Sequence, residues 1–159
     1  ADALLLAAHM HDVGKLGIPD TILLKPGRLT ANEFEVMKRH PLIGHDILKD
    51  SSSEVLRLGA RIALSHHEKF NGTGYPNGIA GEAIPLEGRI VAVADVFDAL
   101  TSSRPYKPAW PFARAIALLR EGRGSHFDAR CIDAFLSSWD EVLDIHTRFV
   151  DEPEHTTVQ

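Results

Sequence analysis

Apolar side chains along this chain recur at steps of three and four, the period of a helix with one buried face, and no clear strand emerges. Over residues 2–10, Leu4, Leu5 and Ala8 take helical spacing, with Gly14 expected as the C-terminal cap. Thr30 followed by Glu33 reads as a capping box ahead of Phe34, Met37 and His40, and Pro41 marks a break or a new first turn. Ser51 and Glu54 repeat that spacing before Val55, Leu58, Ile62 and His66, so that His66 and His67 close the helix together. From Asn71 through Gly88 stand five glycines with Pro76 and Pro85, a density that predicts a long structured loop. Residues 89–102 are rich in β-branched side chains, but Ile90, Val93, Phe97 and Leu100 sustain helical steps too long for a strand. Pro111 opens a further helix through Leu119, and Asp128 caps a last one carrying Ile132, Phe135, Leu136, Trp139 and Leu143. The expected fold is all-α, one domain over residues 1–150, with a disordered polar tail from 151 to 159.

Composition narrows the class. A chain of 159 residues with 44% hydrophobic residues can bury about 68–70% of its unfolded surface, enough for one core without disulfides. The lone Cys131 has no internal partner, which fits a reducing compartment, and cytoplasmic location is expected. No stretch approaches the ~18 apolar residues of a membrane span, and the first residues lack a basic signal-peptide start. A net charge of −5 argues against a polymeric nucleic acid partner.

Histidine is the unusual residue, with six of nine falling in the first 67 positions. His11 and Asp12 adjoin at a helix end, while His40 and the pair His66–His67 lie toward the ends of helices whose apolar stripes point inward. Asp95 sits in an otherwise apolar helical run, where an unpaired carboxylate costs several kcal/mol to desolvate, roughly, and so needs a cation or an arginine such as Arg89 or Arg104. Four imidazoles and two carboxylates form a ligand set suited to Fe or Mn, with Zn acceptable, and a carboxylate can bridge two ions. His9 and His45 read as structural, and His126, His146 and His155 as surface residues.

The same residues carry a resemblance. The segments HDVGK (11–15), IPDTILLKPGRLT (18–30), MKRH (37–40), HHEKFNGTGYPNGIAGEAIPLEGRI (66–90), ADVFDALTSSRPYK (94–107) and HFDAR (126–130) are similar, in order, to the HD-GYP family of bacterial cyclic di-GMP phosphodiesterases in the HD superfamily. The resemblance implies an HD-type helical bundle with a long GYP loop. It makes His11, Asp12, His40, His66, His67 and Asp95 ligands of two divalent metals, with Asp12 bridging and a third metal not expected. It implies that Lys15 faces the scissile phosphate, that Arg104 and Lys107 contact phosphate, and that Tyr75 lines a guanine pocket or packs the loop. The family carries a further His, and in some members a Glu, on a helix upstream of the HD pair. This sequence starts at Ala1, after that point, so the expectation is a piece of a longer protein preceded by a sensory or receiver domain.

The expected activity is hydrolysis of cyclic di-GMP to pGpG or GMP in signal transduction. The alternative is a non-catalytic cyclic di-GMP receptor or protein-interaction module. Regulator proteins and a second copy of the chain complete the expected partners.

Overall fold

In a computed structural model, residues 2–103 and 108–150 are described. They form nine α-helices: α1 (Asp2–Ala8), α2 (Asp20–Leu23), α3 (Ala31–Met37), α4 (His40–Leu48), α5 (Glu54–Ser65), α6 (Leu86–Thr101), α7 (Phe112–Glu121), α8 (Ala129–Ser137) and α9 (Trp139–Val150). Short 3-10 turns cover Val13–Gly17 and Gly81–Ala83. Among the described residues the only β pairing is an isolated bridge between Arg123 and Phe127, so the all-α expectation holds. The proposed tail at 151–159 lies outside the described residues.

Helix α5 packs against α1, α4 and α6, and α6 in turn against α7 and α8. Helix α6 is therefore the shared wall of two cores. On one side Val91 joins Ala7 and Ile62, with Leu4, Met10 and Leu58 around them. On the other, Val93, Phe97 and Leu100 join Leu119, Phe127 and Ile132, ringed by Phe112, Phe135 and Trp139. Within that ring Phe97 meets Phe135 edge-on at 5.1 Å and Trp139 at 5.8 Å, and each such pair adds about 0.5–1.5 kcal/mol beyond its buried area.

The capping box is present as read: Thr30 Oγ1 accepts from the Glu33 amide at 3.3 Å and Glu33 accepts from the Thr30 amide at 2.7 Å. Pro41 does start a new helix, but His40 is the first residue of that helix rather than near the end of one. Two further boundaries differ. The N-cap of α5 is Ser53, with Ser51 Oγ accepting from the Ser53 amide. The last predicted helix breaks at Ser138 into α8 and α9, although Asp128 caps α8 through the Arg130 amide at 2.8 Å.

Gly14 corrects a conformational reading. It does not end a helix and has no positive φ; it lies buried in the first 3-10 turn, where an added Cβ would fall 1.9 Å from the His40 carbonyl oxygen and 2.4 Å from the Gly44 amide. Glycine is required there because the turn and α4 pack backbone against backbone. That contact sets Asp12 against His40.

The loop from 66 to 85 is long but anchored. Phe70 and Asn71 donate backbone hydrogen bonds to the His126 and Ser125 carbonyls at 3.0 and 2.8 Å, and Gly81 donates back to Phe70 at 2.8 Å. Gly72, Gly78 and Gly81 take positive φ, while Gly88 lies inside α6, against Ser65.

Candidate metal centre

Four short segments deliver the polar cluster. His11 and Asp12 come from the turn after α1, His40 from the first residue of α4, His66 and His67 from the end of α5, and Asp95 from the middle of α6. One potential ligand atom from each of Asp12, His40, His66 and His67 lies within 4.8 Å of all the others. That spacing is close enough for the four side chains to share one cation. Asp12 Oδ1 is 3.2 Å from His40 Nε2 and 3.8 Å from His66 Nε2, whereas Oδ2 faces the other way, 3.3 Å from His11 Nε2 and 2.5 Å from Lys15 Nζ. His11 Nε2 also stands 3.5 Å from Asp95 Oδ1.

The backbone fixes which nitrogen faces the centre. Nδ1 of His11 donates to the Ala8 carbonyl at 2.7 Å, Nδ1 of His40 to Met37 at 2.8 Å, and Nδ1 of His66 to Ala63 at 3.0 Å. A carbonyl only accepts, so each Nδ1 carries a hydrogen and Nε2 is the nitrogen turned inward, with its lone pair free wherever the ring is neutral. Asp12 Oδ1, His40 Nε2 and His66 Nε2 are buried without a hydrogen-bond partner. Three acceptors converging with no donor among them is an arrangement that a cation satisfies and a hydrogen-bond network does not. The residues therefore fit a metal.

The electrostatics agree. Hydrogen bonds to Asp12 and Asp95 push the His11 pKa up to about 10, so in the metal-free chain this ring holds a proton where the two carboxylates call for positive charge. Burial pushes the Asp12 pKa up, but its contacts with His11 and Lys15 outweigh that and hold the carboxyl well below its ordinary range. Asp95 is likewise lowered, burial again being overcome by its hydrogen bond to His11. Desolvation drives His66 down to about 4 and His67 to about 3, keeping both rings neutral and able to ligate. Asp95 does not pair with Arg89, whose Nη1 donates instead to the buried Asp128 at 2.6 Å.

Around the cluster, Lys15 is held by Asp12. The Tyr75 ring stacks on His67 with centroids 4.8 Å apart, and burial pushes its hydroxyl pKa up to about 12. Arg104 and Lys107 lie outside the described residues. A shallow cavity of about 240 Å³ reaches His11 and Asp95 beside His9, Ala94 and Asp98. A roomier one of about 500 Å³, between α6 and α8, contains none of the six candidate ligands. Size alone would have misplaced the site.

Glu68 was missed by the sequence reading. It is 3% exposed, and its Oε1 accepts from the Asn77 amide at 2.7 Å, tying the loop back to the residue that follows His67. Its signal was available: an acidic residue directly after two candidate ligands, ahead of a glycine-rich loop that needs an acceptor. His146 is also a correction, since its ring packs edge-on to Phe112 at 4.9 Å and its Nε2 is buried.

The chain also has known relatives. The family described as HD domain matches residues 1–131. The cyclic di-GMP phosphodiesterase response regulator RpfG of Xanthomonas campestris is 60% identical over 131 residues, covering 82% of this chain and 35% of that protein. A cyclic di-GMP phosphodiesterase of Thermotoga maritima is 50% identical over 146 residues, 92% of this chain and 40% of that protein. The 3'3'-cGAMP-specific phosphodiesterase 2 of Vibrio cholerae is 42% identical over 151 residues, 95% of this chain and 29% of that protein. This chain thus spans about a third of the length of such relatives. Among the described residues no helix is long and apolar enough to cross a membrane.

Proposed function

The chain belongs to the HD domain family, in its HD-GYP type, and on that premise we propose that it is a metal-dependent phosphodiesterase that hydrolyses cyclic di-GMP in bacterial signalling. The observation that carries this reading is the convergence of Asp12, His40, His66 and His67, with three inward acceptors left unpartnered. His11, Asp12, His40, His66, His67 and Asp95 would hold two divalent ions, Fe or Mn, with Asp12, whose two oxygens face different partners, as the ligand they would share.

When bound there, the metals would supply Lewis-acid polarisation of the phosphodiester and a water of lowered pKa. The chain's own residues do the rest. Lys15, already beside Asp12, protonates or stabilises the leaving oxygen. Arg104 and Lys107 clamp the phosphate, the Arg fork suiting two oxygens at once. Tyr75, in the GYP loop, closes the far side over His67. The product is pGpG or GMP. In the parent protein a sensory or receiver domain precedes residues 1–150, consistent with a relative named as a response regulator, and the bacterial cytoplasm is the site of action.

The test pairs elemental analysis of the purified chain with a chromatographic assay of cyclic di-GMP turnover in Mn²⁺ or Fe²⁺. Two metals per chain with pGpG formation, both lost in Asp95→Ala, is the expected result. Unchanged hydrolysis by that variant overturns the ligand set, and tight nucleotide binding without turnover in the metal-loaded protein favours a receptor.

A further inference from the structure

We infer that Phe34 and Lys38 of α3 form a nucleobase subsite beside the metal centre, selective for a purine that presents acceptors, as guanine does. This rests on the phosphodiesterase reading and deepens it.

Tyr75 is the base platform expected from sequence, yet one face of its ring is taken up by His67, at 4.8 Å and 28°. The next aromatic outward is Phe34, edge-on to Tyr75 with centroids 6.3 Å apart and 46% exposed. An exposed Phe is ordinary by itself. Here it is two ring contacts from a candidate metal ligand and carries a cation. Lys38, one helical turn on, sets its ammonium 5.6 Å from the Phe34 centroid and 5.9 Å from that of Tyr75.

The platform is rigid where it needs to be. Immediately before Phe34, Glu33 closes the capping box and accepts from Lys25 Nζ at 2.6 Å, which fixes the start of α3. The ammonium of Lys38, by contrast, has among the described residues one ion-pair partner, the 68% exposed Glu35 at 2.6 Å. A surface ion pair of that kind has little net strength and exchanges readily for a ligand acceptor.

The two residues divide the work. Stacking on Phe34 accepts any base, because every base has a π-face. A lysine ammonium donates to O6 and N7 of guanine, whereas adenine offers N7 beside a donor amino group. Phe34 therefore contributes affinity and Lys38 the preference for guanine.

Titration of the Mn²⁺-loaded protein with phosphorothioate analogues of cyclic di-GMP and cyclic di-AMP tests this, since sulfur at phosphorus slows turnover. Phe34→Ala is expected to weaken both ligands on the order of tenfold, and Phe34→Trp to restore them, the rescue separating lost stacking from any loss of packing against Tyr75. Lys38→Met is expected to weaken the guanine ligand more than the adenine one, narrowing their ratio several-fold. Wild-type binding with both Ala and Met variants unaltered overturns the subsite alone. A Mn²⁺-loaded wild type that binds neither analogue overturns the phosphodiesterase reading, and the subsite with it.

Discussion

Around Phe97 the chain packs ring on ring, with Phe135, Trp139 and Phe112 at 5.1, 5.8 and 6.1 Å. Around Asp12 it packs backbone on backbone through Gly14 and leaves buried acceptors without partners. The first region gains stability from apolar area and tolerates modest repacking. The second spends it, because desolvated carboxylates and imidazoles favour folding only once something cationic sits among them. Helix α6 belongs to both, supplying Phe97 to one and Asp95 to the other two residues away. The aromatic half thus acts as the scaffold that keeps an unfavourable polar cluster assembled.

That contrast can be broken from either side. The largest effect is expected from Gly14→Ala, whose Cβ would overlap the His40 carbonyl at 1.9 Å. Asp12 and His40 separate, and Mn²⁺ no longer raises the melting temperature; near-native melting with intact metal response would show that the close approach is not needed. Phe97→Ala acts on the other region, costing about 3–5 kcal/mol by loss of a buried ring, yet metal stoichiometry measured below its melting point is unchanged. Asp12→Asn sharpens the comparison: wild-type protein gains about 2.7 kcal/mol from metal at a hundred times its dissociation constant, and the variant gains none, as calorimetric melts with and without Mn²⁺ will report.

A gentler probe is pH in the metal-free chain. Unfolded histidines titrate near 6.5. His66 and His67, lowered to about 4 and about 3, favour the folded state fully above that pH, and their contribution shrinks as pH falls toward those values. Asp12 and Asp95, both held low, add to the acid loss. His11, raised to about 10, contributes fully below pH 6.5 and progressively less as pH rises toward 10. Melting temperature should therefore peak near pH 6.5 and flatten when metal replaces the His11 proton. A flat metal-free profile would mean that the cluster does not assemble without its ion.

Much of this was legible in the residues. Steps of three and four marked the helices, Thr30 and Glu33 gave a true capping box, and the HD and HH pairs with a lone Asp in an apolar helix marked side chains that the fold brings together. These signals are local, set by side-chain spacing and backbone hydrogen-bonding within one turn. Helix ends near Ser53 and Ser138 were less legible, because competing caps a few residues apart differ by little energy.

The chain's own order of residues therefore determined which segments are helical and which side chains bear chemistry. Only the tertiary structure decided that Gly14 is a contact rather than a cap, that Arg89 serves Asp128 and not Asp95, that Glu68 holds the loop, and that Asp12 turns its two oxygens to different partners. Each depends on segments distant in sequence meeting at a few ångströms, and such approaches are set by packing of the whole fold rather than by any local pattern.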